Sequence, residues 1–256
     1  DGTDVLALDN SNNATFAGAV TATTYNGIPF YSDVANNSMY THDVSGTDST
    51  AQGNTAYGFI AMDAITTGDD NTAFGYAAGS AINSGANNVT IGAQGGDALT
   101  TGSSNTAVGF RALTTETTGS RNVAIGDNAL AALTYDGNGY NVAVGYEAGK
   151  VVLTGIKNTS IGARTMQATT VGQENVALGY QAMYTNVDGS KCVAIGANAL
   201  LTQDPASAVD MYNVAVGYNA GYAMTTGINN TLIGSLAGDA LTTGSGSVAL
   251  GYNALG

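Results

Sequence analysis

The chain repeats one short segment twelve times, and this repeat constrains the fold more than any other feature. The segment reads NTAFGY, NVAIGD or NVAVGY, and nine of the eleven intervals between its glycines are seventeen residues long. The other two intervals are nineteen and twenty-one residues, and both carry their extra residues in the same part of the repeat. That part is therefore a corner, where insertions are tolerated. The motif glycines are Gly58, Gly75, Gly92, Gly109, Gly126, Gly145, Gly162, Gly179, Gly196, Gly217, Gly234 and Gly251.

Between the corners, residues alternate with a period of two, which is typical of β-strands. The residue before each motif glycine is large and apolar, from Tyr57 to Leu250, and the residue before that is mostly Ala. Seventeen residues are too few for a strand and a covering helix. We therefore predict an all-β fold, a parallel β-solenoid of twelve coils over residues 54–256. Each coil is expected to contain two short strands and two turns, stacked at about 4.8 Å.

The pattern also makes two finer predictions about the inside of the coil. We expect the bulky Val and Ile column to fill the interior, with Ala and Gly allowing close approach elsewhere, although the opposite assignment stays open. A second glycine follows the motif glycine by ten residues in the nine regular intervals, and its fixed place at a corner predicts a positive φ. These corner glycines are Gly68, Gly85, Gly102, Gly119, Gly155, Gly172, Gly189, Gly227 and Gly244.

Residues 1–53 do not fit the repeat. Residues 1–27 alternate apolar and polar residues around an Asn-rich stretch, which predicts a hairpin or short strands. Residues 28–53 are polar and turn-like, and we expect them to connect to the solenoid and cap its first coil. No run of eighteen apolar residues occurs, and residue 1 is Asp in a strand-like sequence, so we expect neither a membrane span nor a signal peptide.

Asparagine begins ten of the twelve coils, and Cys192 and Ser247 interrupt the column. Because a side-chain amide both donates and accepts, identical amides one coil apart can bond along the axis. We interpret the column as a structural ladder; the alternative is a polar row that binds a sugar or an ion. The column consists of Asn54, Asn71, Asn88, Asn105, Asn122, Asn141, Asn158, Asn175, Asn213 and Asn230.

An aromatic residue directly follows the motif glycine in alternate coils, with small residues or Asp127 between them, and Phe59 starts the series. Rings in every coil would lie too close together, so the alternation lets each ring cover a small neighbour. We expect this column to serve packing or a subunit contact; gripping a glycan is the alternative. The alternating rings are Tyr76, Phe110, Tyr146, Tyr180, Tyr218 and Tyr252.

Composition argues against several function classes. Six basic and nineteen acidic residues give a net charge of −13, which repels nucleic acid and anionic membranes. One cysteine cannot form an intrachain disulfide. His42, the only histidine, lies before the array in a polar segment and is expected to be background. We predict no enzymatic activity, no cofactor and no metal site.

Three weaker candidates do not change this prediction. The corner carboxylates suit solvated turns, with weak calcium binding as the alternative; they are Asp69, Asp70, Asp97 and Asp239. Threonine pairs such as 100–101 and 242–243 are similar to the threonine rows of ice-binding solenoids but occur in too few coils. No coil holds two carboxylates at strand positions, which a glycan-degrading spike would normally need.

Two resemblances add to this interpretation. The segment ALDNSNNATFAGAVTATTYNG resembles a stretch of bacteriophage tail fibres and tail spikes that leads into trimeric β-structured shafts. The VAIG and VAVG coils with a following Ala resemble the head repeats of YadA-like trimeric autotransporter adhesins, which are left-handed parallel β-rolls. The seventeen-residue coil and the Thr-Thr-Gly corner depart from the adhesin pattern, which affects the expected cross-section.

Together the resemblances imply a homotrimeric, left-handed solenoid in the tail fibre of a virion, outside the cell. Its expected task is attachment to a host-surface glycan or protein receptor, with recognition at the insertions 134–140 and 202–212. Three chains around an axis would also hide a long apolar face that a monomer would leave exposed. A bacterial surface adhesin is the alternative, and a glycan-degrading tail spike is a further one.

Overall fold

The computed structural model describes residues 38–41 and 50–256 with their side chains, and the backbone of five short strands before residue 34. His42 and most of the expected N-terminal cap lie outside the described residues. Four of the early strands form two antiparallel pairs, the first of them around the Asn-rich stretch. They are β1 (Ala7–Leu8) with β2 (Ala14–Thr15), and β3 (Thr24–Tyr25) with β4 (Ile28–Pro29).

The N-terminal segment joins the solenoid through its last two strands. β5 (Tyr31–Asp33) pairs antiparallel with β6 (Ser38–Tyr40). β6 then pairs in parallel with β7 (Thr55–Tyr57), the strand of the first coil. The first coil therefore does not end in an open sheet edge on this side.

The array from Asn54 onward is a parallel β-solenoid, as predicted. Each strand pairs with the equivalent residues of the next coil, for example Ala107 with Ala124 and Val108 with Ile125. The described residues contain strands, turns and bends but no helix. The coil strands after β7 are β8 (Thr72–Phe74), β9 (Val89–Ile91), β10 (Thr106–Val108), β11 (Val123–Ile125), β12 (Val142–Val144), β13 (Thr159–Ile161), β14 (Val176–Leu178), β16 (Val193–Ile195), β18 (Val214–Val216), β19 (Thr231–Ile233) and β20 (Val248–Leu250).

Each coil has one regular strand of three residues and not the expected two. On the far side of the coil, the backbone alternates into the left-handed region, as at Ile60 (φ 53°) and Met62 (φ 51°), which interrupts strand geometry. Hydrogen bonds between coils continue there nevertheless, for example from Met62 N to Ala78 O at 3.1 Å. In the described part of the array, a second pair of strands forms only between β15 (Gly189–Ser190) and β17 (Val209–Asp210).

The interior is filled in the opposite way to the one we favoured from the sequence. The middle residue of each strand, mostly Ala, points inward and is buried, whereas the Val, Ile and aromatic residues on either side of it lie on the outside. Bulk in the core comes from the turns, at positions four and seven residues after the motif glycine. Examples are Leu130 and Leu133 in the fifth coil and Leu99 in the third. Because a seventeen-residue coil is narrow, large side chains from the turns leave room only for small ones on the strand.

The corner glycines are required for a different reason from the one predicted. Their φ angles are not positive; the positive φ belongs to the motif glycines, such as Gly109 at 131°. At the corner, a Cβ on Gly102 would lie 2.3 Å from the carbonyl oxygen of Gly119 in the next coil. Glycine is therefore needed there because successive coils approach too closely for any side chain.

Candidate functional site

The outer face of the sheet is a continuous apolar strip along the solenoid. We define the apolar strip as the first and third strand residues of the twelve coils, together with the aromatic column that follows the motif glycine. The twenty-four strand positions hold only Thr, Val, Ile, Leu, Tyr and Phe, so none of them is charged. Typical exposures are 54% for Phe74, 38% for Ile125 and 45% for Leu178.

The alternating rings of the aromatic column are all exposed, as the position of the column beside the sheet implies. Tyr76 is 54% exposed, Tyr146 47% and Tyr218 55%, and the small residues between the rings leave gaps. In the first two coils, where the alternation is broken, Phe59 and Tyr76 stack with ring centroids 6.2 Å apart. In two later coils an arginine lies over the ring, Arg111 over Phe110 at 5.7 Å and Arg164 over Tyr146 at 5.8 Å. The rings nevertheless stay about half exposed, so the column extends the apolar strip sideways.

The size of the strip is unusual for a monomer. Eleven coil spacings of about 4.8 Å give a length of about 53 Å, and three columns two residues apart give a width of about 13 Å. The product is roughly 700 Å², which exceeds the largest apolar patch of a typical monomer, about 300–600 Å². It is close to the surface that each partner contributes to a standard protein interface, about 800 Å².

The asparagine ladder lies inside the coil, directly behind this strip. Asn88 Nδ2 donates to Asn71 Oδ1 at 3.0 Å and to Gly102 O at 2.9 Å. Its Oδ1 accepts from the backbone N–H of Asn105 at 3.0 Å and from the Asn105 amide at 3.2 Å. The asparagines are buried, so their role in the structure is to satisfy backbone groups, and a sugar or ion could not reach them.

Cys192 replaces asparagine in this ladder, and a neighbouring side chain compensates. The Cys192 N–H still donates to Asn175 Oδ1 at 2.9 Å, but a thiol cannot replace the amide oxygen for the next coil. Buried Gln203 supplies that oxygen, because its Oε1 accepts from Asn213 Nδ2 at 2.9 Å. Burial raises the pKa of the Cys192 thiol, so the thiol stays protonated and unreactive.

A second row of side chains runs along the edge of the strip, at the position immediately before the asparagine. In six consecutive coils this position holds a long or aromatic side chain. We call these residues the edge row: Arg121, Tyr140, Lys157, Glu174, Lys191 and Tyr212. The sequence analysis did not single them out, although their fixed place before the asparagine was a usable signal.

The edge row consists of three pairs, each joining one coil to the next. The Arg121 guanidinium lies over the Tyr140 ring at 5.7 Å and donates to its hydroxyl at 3.0 Å. Lys157 Nζ lies 2.9 Å from Glu174 Oε1. Lys191 Nζ lies over the Tyr212 ring at 5.4 Å.

The third pair is extended by a carboxylate from the longest insertion. Lys191 Nζ lies 2.6 Å from Asp210 Oδ2, and the Tyr212 hydroxyl donates to the same oxygen at 3.1 Å. The hydrogen bond from Lys191 lowers the pKa of Asp210, and the same contact raises the pKa of Lys191. Both groups therefore stay charged at neutral pH.

A buried carboxylate, Glu116, bonds backbone groups in the coil that precedes the first insertion. In the third coil, the N–H groups of residues 100–102 all donate to Thr117 O in the next coil. The insertion of the fifth coil interrupts this arrangement, and the N–H groups of residues 117–119 donate instead to Glu116 Oε1, at 2.7–3.2 Å. Glu116 is fully buried, its Oε2 has no partner among the described residues, and burial raises its pKa.

One further charged cluster lies beside the aromatic column. Glu147 accepts from Lys150 Nζ at 2.7 Å and lies 3.3 Å from Arg164 Nε, and the hydrogen bond from Lys150 lowers its pKa. The Arg164 guanidinium lies over the Tyr146 ring at 5.8 Å. The one carboxylate contacts both cations, which holds in place the side chains that border the ring.

The corner carboxylates act as turn acceptors. Asp69 Oδ1 accepts from the Gln52 N–H at 2.8 Å, and Asp97 Oδ1 accepts from the Thr114 hydroxyl at 2.6 Å. In the part of the chain that the structure describes, no three His, Cys, Asp or Glu side chains lie close enough to hold a metal ion. The threonines at these corners bond along the axis, as from Thr100 Oγ1 to Thr117 O at 3.0 Å.

The same described residues contain no helix long and apolar enough to cross a bilayer. Comparison of the chain with protein-family models, with curated proteins and with solved structures gave no match. The geometry of the surface is therefore the basis for any functional conclusion.

Proposed function

We propose that this chain is a segment of a homotrimeric fibre, carried on the tail of a virion outside the cell, and that it takes part in attachment to the host surface. The observation that carries the proposal is the apolar strip, which runs the length of the array. Its twenty-four strand positions hold no charged residue, although the chain has a net charge of −13.

The absence of charge at the twenty-four strand positions favours a second copy of the chain as the group that covers the strip. Copies that carry the same net negative charge repel one another at most contacts. A sheet face without charged residues is the surface on which they can approach closely without bringing like charges together. The estimated area of roughly 700 Å² per chain is also near the value for a standard stable interface.

Three parallel copies fit the shape of the strip. The strip follows the solenoid axis, so chains that bury it must lie side by side along their whole length. The number three rests on the resemblance to trimeric fibres and adhesins. The resulting rod would be stiff, because every coil is hydrogen-bonded to its neighbours by backbone and asparagine ladders.

The test uses two double variants matched in residue type and exposure. Val176 and Leu178 lie on the strip and are 38% and 45% exposed. Val151 and Leu153 lie in the turns outside the strip and are 37% and 39% exposed. Each pair is changed to aspartate, and the mass of the purified chain is measured by light scattering at micromolar concentration.

We expect a trimer for the wild-type chain and for V151D/L153D, and a monomer for V176D/L178D. Like charges placed opposite one another in an interface cost several kcal/mol, enough to dissociate it. A wild-type monomer, or equal dissociation of both variants, would refute the assembly. The genomic context of the parent gene distinguishes a virion protein from a bacterial one. Neighbouring capsid and tail genes favour the virion, and a membrane-anchor domain in the same reading frame favours the bacterial adhesin.

A further inference from the structure

The edge row has features that packing alone does not require. All six residues have φ between 52° and 61°, but so do the equivalent residues of other coils, such as Asn87 at 58° and Asn229 at 59°. The backbone geometry is therefore common to the repeat, and the edge row differs from the other coils in its side chains. The equivalent positions in the first, second, third, tenth and eleventh coils hold short residues: Asp70, Asn87, Ser104, Asn229 and Gly246. Long side chains are therefore confined to the six coils that include both insertions.

Both insertions end with a tyrosine of the edge row. Tyr140 closes the nineteen-residue coil and Tyr212 closes the twenty-one-residue coil. They are 49% and 51% exposed, and each lies beneath a cation from the coil before it. Four coil spacings separate the two rings, a distance of about 19 Å along the axis. The insertions thus produce the same pair twice on one edge of the rod.

The chemistry of the row suits a sugar chain. The apolar C–H face of a sugar ring stacks on an aromatic ring, and its hydroxyls need both donors and acceptors. The Lys157–Glu174 pair lies between the two tyrosines and offers both, with side chains 53% and 41% exposed. Asp210 adds a second exposed acceptor next to Tyr212, at 43% exposure.

The charges of the row favour an uncharged sugar chain over an acidic one. Lys157 and Lys191 already have carboxylate partners at 2.9 Å and 2.6 Å. Arg121 has no carboxylate partner among the described residues, but it donates to the Tyr140 hydroxyl at 3.0 Å. The chain as a whole has a net charge of −13, which repels a polyanion. Paired charges still hydrogen-bond to neutral hydroxyls.

We infer that the edge row is a binding site for a linear, uncharged polysaccharide that lies along the rod axis, with Tyr140 and Tyr212 as two equivalent stacking subsites and Lys157 and Glu174 as the polar contact between them. The row borders the apolar strip two residues before its first column, so it lies at the rim of the surface that the trimer would bury. The inference rests on the proposed attachment function and names the class of receptor.

The experiment titrates the full chain with linear, neutral oligosaccharides of glucose, galactose and N-acetylglucosamine of increasing length, by isothermal calorimetry. We expect affinity in at least one series to rise stepwise when the oligosaccharide reaches about 19 Å, the spacing of the two rings. Y140A and Y212A should each weaken binding of the long oligosaccharide by about 3- to 10-fold and abolish the step.

The matched control is Y222A, since Tyr222 is 39% exposed but lies outside the edge row. The affinity of Y222A for each oligosaccharide, and the dependence of that affinity on oligosaccharide length, should equal those of the wild type. The inference is overturned if no neutral series binds at millimolar concentration, if the step persists in the double tyrosine variant, or if a polyuronate binds more tightly than every neutral series. Light scattering on the same samples reports assembly separately, so a trimer without glycan binding refutes the edge row alone.

Discussion

The asparagine ladder is predicted to stabilise the stack of coils, and Asn88→Ala tests this directly. The substitution removes four hydrogen bonds, two donated by Asn88 Nδ2 and two accepted by its Oδ1. Two backbone groups lose the only hydrogen bond shown for them, namely the carbonyl of Gly102 and the N–H of Asn105. The Asn105 side chain keeps its bond to Gly119 O.

The expected loss follows from these two groups. A buried polar group left without a partner costs about 1–3 kcal/mol, so the two together cost roughly 2–6 kcal/mol. Folded domains have about 5–15 kcal/mol of stability in total, so a change of this size is easily measured. Urea unfolding followed by circular dichroism, at one fixed chain concentration, should show a clearly lower midpoint for N88A.

Cys192→Ala is the matched control, because it lies in the same buried column but removes only weak contacts of a sulfur atom. They include Gln203 Nε2 at 3.3 Å, Ser190 O at 3.5 Å and the backbone N–H of Asn213. We expect C192A to cost about 1 kcal/mol, mainly from the small cavity. If N88A costs no more than C192A, the amide ladder does not stabilise the coil stack and the reasoning fails.

Three further outcomes follow from the described contacts. Gly102→Ala should destabilise the chain by about 1–3 kcal/mol or more in urea unfolding, because its Cβ meets a backbone carbonyl; Gly244→Ala should cost less, since only a Leu side chain lies nearby. Glu116→Gln should raise the midpoint at neutral pH. Burial raises the pKa of Glu116, so the stability it contributes is lost as pH rises through that pKa, and the advantage of glutamine should shrink to nothing in acid titrations. Ala124→Leu should lower the thermal midpoint, because overpacking the core costs about 1–3 kcal/mol. Leucine occurs in that column only at Leu232, where Gly238 in its own coil and Gly221 in the preceding coil leave room for it.

The parallel stack and its register could be predicted because they depend only on the repeat. Identical residues seventeen positions apart make each coil the best partner of the next, whatever the cross-section. The asparagine column could be interpreted for the same reason, since a buried amide must bond to something and its equivalent is one coil away. Neither conclusion needed to know which way a side chain points.

The side of the strand that faces the core could not be predicted from the alternation alone. Both sides of the strand are apolar or small, so a period of two is satisfied by either assignment. The deciding residues lie in the turns, such as Leu113 and Met183, which enter the core from positions in the left-handed region. A usable signal was present, since the position seven residues after the motif glycine is apolar in most coils.

The exceptions in that same position explain how a regular stack tolerates irregular coils. Glu116 and Asn186 occur immediately before the two long coils, and each bonds backbone groups at the corner that the insertion disturbs. Gln203 lies in the coil whose asparagine is replaced by Cys192, and it restores the missing acceptor. Thr169 is the fourth polar residue there, and nothing in the structure explains it.

A buried polar residue in this column therefore marks a defect in the ladder close by. Each costs desolvation that an apolar residue would not, so its presence implies that the neighbouring irregularity is worth keeping. Two of the three irregularities compensated in this way are the insertions that end in Tyr140 and Tyr212. Buried polar residues thus bond the backbone beside both insertions, so the positions of Tyr140 and Tyr212, on which the inferred polysaccharide site depends, rest on the core beneath them.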